Sequence, residues 1–277
     1  MLLPMEKLYD MHCHVGFAPA PATIAAAGAQ AGIGALSCTV EPAEYERLRP
    51  ILIEAPNVAV ALGAHPWWIA DGRVGDAELE RFCALAPATR FIGEIGLDFA
   101  APRNDDESRR LQIAALNRIL DACDAAPAAA ETAGKLVSIH AVHAADVVLD
   151  LLEEHGTTDR HKVVFHWFSG TSDDLTRAVH AGCYFSVGPR MLASRRGREY
   201  ARQIPLDRLL LETDMPSREG ETLPANIWLA ELGNALAGIA QLKNIDRNLL
   251  AERLTATSSA LLSTEQATLP HSGNLGV

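Results

Sequence analysis

The chain alternates short apolar runs with longer amphipathic stretches. The apolar runs occupy positions 7–12, 34–40, 58–64, 90–95, 136–140, 162–166, 183–187 and 208–212. Several are apolar at consecutive positions rather than at every second one, as in parallel strands covered on both faces. Helical spacing fills the intervals at 21–31, 41–54, 76–85, 105–126, 144–154, 172–181, 194–203, 226–240 and 246–262. The second of these carries Pro42 in its first turn, a favoured place for proline. In the longest, Leu111, Ala115, Arg118 and Ile119 recur at helical spacing. Strand, loop and helix repeated around eight apolar runs predict an α/β fold, a (β/α)8 TIM-type barrel. Residues 1–263 are expected to form this one barrel domain, with 264–277 a loose C-terminal tail and 125–134 a low-complexity surface insertion.

A barrel of this kind carries its chemistry at the C-terminal ends of its strands, and candidate metal ligands fall at five of them. The first run ends in Asp10-Met11-His12-Cys13-His14. Two histidines spaced by one residue on a strand share a face, since side chains repeat every two positions; Asp10 is in the same phase and Cys13 in the opposite one. The fourth run ends in Gly93-Glu94-Ile95-Gly96-Leu97-Asp98, with Glu94 inside an apolar strand where an unpaired carboxylate is costly. A place between two cations removes that cost, and so would a salt bridge to a core arginine. His140 closes the fifth run, His166 the sixth, and Asp214 follows the eighth. Each residue alone is compatible with a structural role; together they are expected to hold one or two divalent ions. His65, closing the third run, is a candidate substrate contact or proton shuttle, and His143 lies near the rim.

Composition narrows the setting. With 48% hydrophobic and 21% charged residues the chain is expected to bury a sizeable core. No apolar stretch is long enough to predict a membrane span, and residues 1–7 lack the basic and apolar regions of a signal peptide, so a cytoplasmic protein is expected. Five scattered cysteines, Cys13, Cys38, Cys83, Cys123 and Cys183, fit reduced and mostly buried thiols. A net charge of −11 disfavours a broad electropositive grip on nucleic acid, without excluding a nuclease whose metals neutralise phosphate locally.

These motifs resemble the TatD family of metal-dependent hydrolases, within the amidohydrolase superfamily. The resemblance rests on Asp10-Met11-His12-Cys13-His14, Gly63-Ala64-His65-Pro66, Gly93-Glu94-Ile95-Gly96-Leu97-Asp98, Ile139-His140, His166-Trp167-Phe168-Ser169-Gly170 and Leu211-Glu212-Thr213-Asp214-Met215-Pro216, in the family's order. It implies a β/α barrel and metal-assisted hydrolysis, most often of DNA, in some members by 3′-to-5′ trimming. It also implies that His12, His14 and Asp214 hold one metal, His140 and His166 a second, with Glu94 between them. The chain departs from the family outside the metal motifs. Ala141-Val142-His143-Ala144 stands where a polar residue and an arginine are usual, and Glu221-Thr222-Leu223-Pro224-Ala225-Asn226 where an Arg-Asn-x-Pro turn is common. Thr257-Ser258-Ser259-Ala260 replaces the usual Asn-Ala.

The expected reaction is attack by a metal-activated water, with Asp214 orienting that water and taking its proton, and Glu94 beside it. Arg190 is the candidate phosphate contact, with Arg195 and Arg196 behind it, and Asp98 a candidate partner for a ligand histidine. A His-rich shell with carboxylates suits zinc or manganese better than magnesium. The expected substrate is DNA, or else a small phosphoester or other ester, with no membrane and no obligate protein partner. The alternatives are a hydrolase of another small ester, lactone or amide, and a non-catalytic metal-binding barrel.

Overall fold

Every expected apolar run forms a strand, because its β-branched and aliphatic side chains can be buried on both faces at once. A computed structural model describes residues 7–125 and 134–263. In chain order the elements are β1 (Leu8–Cys13), α1 (Pro21–Gln30), β2 (Ile33–Cys38), α2 (Pro42–Leu52), β3 (Val58–Ala61), α3 (Pro66–Ala70), α4 (Asp76–Leu85), β4 (Phe91–Asp98), α5 (Asp106–Asp124) and β5 (Leu136–Val142). They continue with α6 (Ala145–Glu154), α7 (Thr157–Arg160), β6 (Lys162–His166), α8 (Ser172–His180), β7 (Tyr184–Val187), α9 (Pro189–Ala193), α10 (Arg195–Gln203), β8 (Leu209–Leu211), α11 (Ala225–Lys243) and α12 (Arg247–Leu262). The tail expected at 264–277 and most of the insertion expected at 125–134 lie outside the described residues.

All strand pairs are parallel, in two arcs ordered β1-β2-β3 and β4-β5-β6-β7-β8. A bridge between Leu62 and Ile92 joins the arcs on one side. There the Leu62 N–H donates to Phe91 O at 2.9 Å and the Gly93 N–H to Leu62 O at 2.8 Å. On the other side the chain beyond β8 meets β1: the Asp214 N–H donates to His12 O at 2.9 Å and the His14 N–H to Met215 O at 2.8 Å. The result is the expected eight-stranded barrel, ringed by helices.

The barrel has two cores. The larger lies between strands and helices, and includes Ile92, Ile95, Val137, Ile139, Phe165, Phe185 and Trp228. The smaller fills the interior with Tyr9, Met11, Leu36, Cys38, Ala61, Leu136, Val164 and Leu210, and Leu261 from α12 joins it. Above these apolar layers the inward positions turn polar, with Ser138 and His140 on β5, His166 on β6 and Ser186 on β7, all buried.

Two strands break the two-residue alternation. Between Asp10 and Cys13 β1 advances three residues while β2 advances two, from Ala35 to Ser37. Between Ile92 and Ile95 β4 does the same against Val137 and Ile139 of β5. One extra residue in a strand shifts the phase of everything after it. Met11 and His12 can therefore both face the interior, and Asp10 falls on the opposite side. Its Oδ2 accepts from the indole N–H of Trp228 on α11 at 2.7 Å.

Candidate metal centre

The six expected ligands meet at the barrel mouth, with Glu94 at their centre. Glu94 Oε2 lies 3.3 Å from His12 Nε2 and 3.5 Å from His14 Nε2. Its Oε1 lies 2.6 Å from His140 Nδ1 and 2.9 Å from His166 Nε2. Asp214 Oδ1 is 3.2 Å from His14 Nε2 and 4.0 Å from His12 Nε2. The His12 and His166 rings stack with centres 3.9 Å apart, so the two halves of the cluster are contiguous.

The hydrogen bonds on the far side of each ring decide which nitrogen faces the cluster. His14 Nδ1 is 3.1 Å from the Cys38 carbonyl, which can only accept, so Nδ1 carries a proton. His12 Nδ1 is 2.8 Å from the Ser138 hydroxyl. His140 Nε2 is 2.9 Å from the Asp98 carboxylate and donates to it. In the neutral rings of His14 and His140 this leaves a lone pair aimed at carboxylate oxygens, a repulsive arrangement unless a cation or a proton stands between them. His12 Nε2 sharpens the case: it is buried and has no hydrogen-bond partner. A divalent ion is what such a donor set fits. Candidate groups within mutual reach include His12, His14 and Glu94, and His12, His166 and Asp214.

Without an ion, protons take that place. Burial pushes His12 down to about 4, so it is neutral. Burial also opposes charge on His14, but Asp214 and Glu94 outweigh it and raise His14 to about 9. Asp214 is the other half of that pair; burial pushes its carboxyl up, and His14 overrides this to hold it at about 2. His166 stands well above the usual imidazole range: burial lowers it, and Glu94 and Glu212 more than reverse that.

His65 also reaches the cluster, with Nε2 3.4 Å from Glu94 Oε1. Its Nδ1 accepts from the Trp67 backbone N–H at 3.1 Å, capping α3. With that lone pair engaged, the neutral ring holds its proton on Nε2. His65 is thus a donor rather than a ligand, although it falls in a third candidate group with Glu94 and His140. Arg190 on α9 places Nη1 2.9 Å from Asp214 Oδ2 and also bonds Ser217. His143 is exposed and outside the cluster.

A supporting layer surrounds these groups. Asp98 Oδ2 also accepts from the Trp67 indole N–H at 2.5 Å. Glu212 Oε2 accepts from Ser186 Oγ at 2.5 Å and lies 3.7 Å from His166 Nδ1. Asp10 accepts from the backbone N–H of both His12 and Thr213, at 3.2 and 3.0 Å, so it fixes the chain on either side of the β1–β8 seam. Sequence reasoning singled out Asp10 and Asp98 but not Ser138, Ser186 or Glu212. The signal was there: Ser138 and Glu212 each precede a cluster residue, His140 and Asp214, by two positions.

Comparison with known proteins points to one family. The family described as TatD related DNase matches residues 9–263. A mouse protein named putative deoxyribonuclease TATDN3 is 29% identical over 282 residues, covering 95% of this chain and 90% of its own. The 3′-5′ ssDNA/RNA exonuclease TatD of Erwinia billingiae is 36% identical over 157 residues, 56% of each chain. YjjV of Escherichia coli, an uncharacterized metal-dependent hydrolase, is 30% identical over 220 residues, 76% of this chain and 80% of its own. Its crystal structure superposes with a TM-score of 0.75 over 93% of this chain and 98% of that one.

Proposed function

The chain belongs to the TatD family of metal-dependent hydrolases, and from that premise we propose that it cleaves phosphodiester bonds of nucleic acid, trimming a single strand from its 3′ end. The observation that carries this reading is Glu94, buried between four histidines, beside a His12 nitrogen that has no other partner. His12, His14, Glu94 and Asp214 would hold one divalent ion, and His140, His166 and Glu94 a second. Bound there, the ions would polarise a phosphoryl oxygen and acidify a water. Imidazole-rich shells of this kind favour zinc or manganese over magnesium.

The remaining roles belong to the chain's own groups. Asp214 is ionised, with Oδ1 toward the histidines and Oδ2 toward Arg190, so it can orient the attacking water and accept its proton. Its depressed pKa comes from protonated His14 and therefore belongs to the metal-free protein. The His65 Nε2–H is a donor for a phosphoryl oxygen. The Arg190 guanidinium, exposed at the edge of the site, would meet a phosphate by exchanging its bonds to Asp214 and Ser217. Arg195 and Arg196 line a cleft of about 550 Å³ with Thr171, Ser172, Glu199 and Tyr200. In a chain of net charge −11, Arg190 supplies positive charge beside the cluster.

The test is hydrolysis by metal-stripped protein reloaded with manganese or zinc. Labelled single-stranded DNA and RNA are offered beside a carboxylic ester, a lactone and an amide. The expected result is metal-dependent shortening of the oligonucleotides from the 3′ end, lost in His140→Ala and Asp214→Ala with the fold retained. Hydrolysis confined to the small esters, lactone or amide would overturn the nuclease reading. Unimpaired hydrolysis by both variants would overturn the site.

A further inference from the structure

The mouth of the barrel carries an aromatic feature that hydrolysis of a phosphodiester does not require. Of four tryptophans, Trp228 is fully buried, and Trp68 lies under Arg73 with the guanidinium carbon 3.4 Å from its ring centre. Trp67, although an arginine also lies over its ring, and Trp167 remain 42% and 37% exposed, the first beside His140 and the second next to His166 in sequence. Leaving large apolar surface in water forgoes the gain of burying it.

Both rings are held in place. Trp67 is fixed through its indole N–H to Asp98. Its ring centre is 5.0 Å from that of His65 and 6.2 Å from that of His140, with the Arg103 guanidinium carbon 5.0 Å away. Trp167 directly follows His166, with φ at +39°, a region that bulky side chains rarely occupy. Phe168, the next residue, is buried against Phe165 and Tyr200, ring centres 5.6 and 5.7 Å away. The chain reverses its facing between the two residues, keeping Trp167 at the surface. Among the described residues no aromatic ring or cation packs on Trp167. Backbone strain of this sort persists where the surrounding structure over-determines it, and it clusters at functional sites.

Trp67 lies on α3, which follows β3, and Trp167 directly follows β6, with Glu94 and His140 on the two strands between β3 and β6. We propose that the two tryptophans are stacking platforms for nucleobases on the two sides of the scissile phosphate. The inference rests on the nuclease reading and adds to it the residues that would hold the bases. A ring of this kind accepts any base, since every base has a π-face, and offers nothing to a base stacked within a duplex.

The experiment compares kcat/KM of the metal-loaded full chain on a single-stranded oligonucleotide and on the same strand with abasic residues at its 3′-terminal nucleotides. Wild type, Trp167→Leu, Trp67→Leu and Trp167→Phe are measured in parallel. Wild type is expected to prefer the base-bearing strand by about tenfold per platform, the size typical of base–aromatic stacking. That ratio falls about tenfold in Trp167→Leu, mainly through KM, and is restored in Trp167→Phe. Trp67→Leu also loses a bond to Asp98, but the ratio is taken within each variant, so a general loss of activity cancels. Equal ratios in wild type and both leucine variants would overturn the stacking role while leaving the nuclease reading intact. A wild-type protein that cleaves neither strand under any metal would overturn the nuclease reading itself.

Discussion

His12, His14 and His140 are each fixed by what one ring nitrogen meets outside the cluster, and this makes the fixing partners testable apart from the ligands. Asp98 orients His140, and Glu212 faces His166. Partners of this type typically contribute about 10- to 100-fold to metal affinity or activity. Asp98→Asn and Glu212→Gln are accordingly expected to lower metal affinity within that range, read by competition with a chromogenic chelator, while the protein stays folded. The protonation of His14 gives a second outcome. Held at about 9 in the metal-free fold against 6.5 for an ordinary imidazole, it binds its proton more tightly folded than unfolded. Its stabilisation is complete below about pH 6.5 and is lost as pH rises through about 9. The melting temperature of metal-free protein should therefore fall between pH 7 and 9.5, and fall less in His14→Gln. A flat or rising profile would contradict the assignment.

At the scale of elements, the strands were legible in sequence and their irregularities were not. The expected run 76–85 coincides with α4 (Asp76–Leu85), and 162–166 with β6 (Lys162–His166). Continuous apolar runs and helical spacing are strong signals over such lengths. The short helices α3, α7 and α9 went unpredicted, since four or five residues are too few to show a period. Nor does a one-residue bulge leave a trace in hydrophobicity. The two-residue rule paired His12 with His14 correctly but placed Asp10 with them, and the bulge in β1 sets it on the helix side. Around β4 the backbone approaches closely at Gly63 and Gly96. A Cβ on Gly63 would stand 1.6 Å from Thr39 O, and one on Gly96 2.0 Å from His140 O. Gly63→Ala should destabilise by about 3 kcal/mol, the upper end for overpacking. Gly182→Ala, with φ +78° but nothing within 4 Å, should cost only about 1–2 kcal/mol. Urea unfolding midpoints compare the two.

For the molecule as a whole, the cluster ties the two arcs of the barrel together. Glu94 comes from one arc, His12 and His14 from the other or its extension, and Asp214 lies at the seam between them. Metal binding should therefore raise the stability of the entire fold. At 100 times the dissociation constant each ion adds about 2.7 kcal/mol, so chelation should lower the melting temperature of the whole protein in one transition. Charge at this scale was legible only in part. The net −11 argued against a broad basic surface, whereas the placing of Arg190 against Asp214 depends on the connection after β7. Among the described residues no helix is long and apolar enough to cross a membrane.

The central claim is that Glu94 lies between two ions held by the named residues. Anomalous diffraction from crystals soaked in manganese or zinc tests it most directly. Two peaks about 3.5–4 Å apart are expected, flanking the Glu94 carboxylate. One should lie against His12, His14 and Asp214, the other against His140 and His166. No peak at saturating metal, or density bound at His65 with His12 and His14 left unliganded, would contradict it.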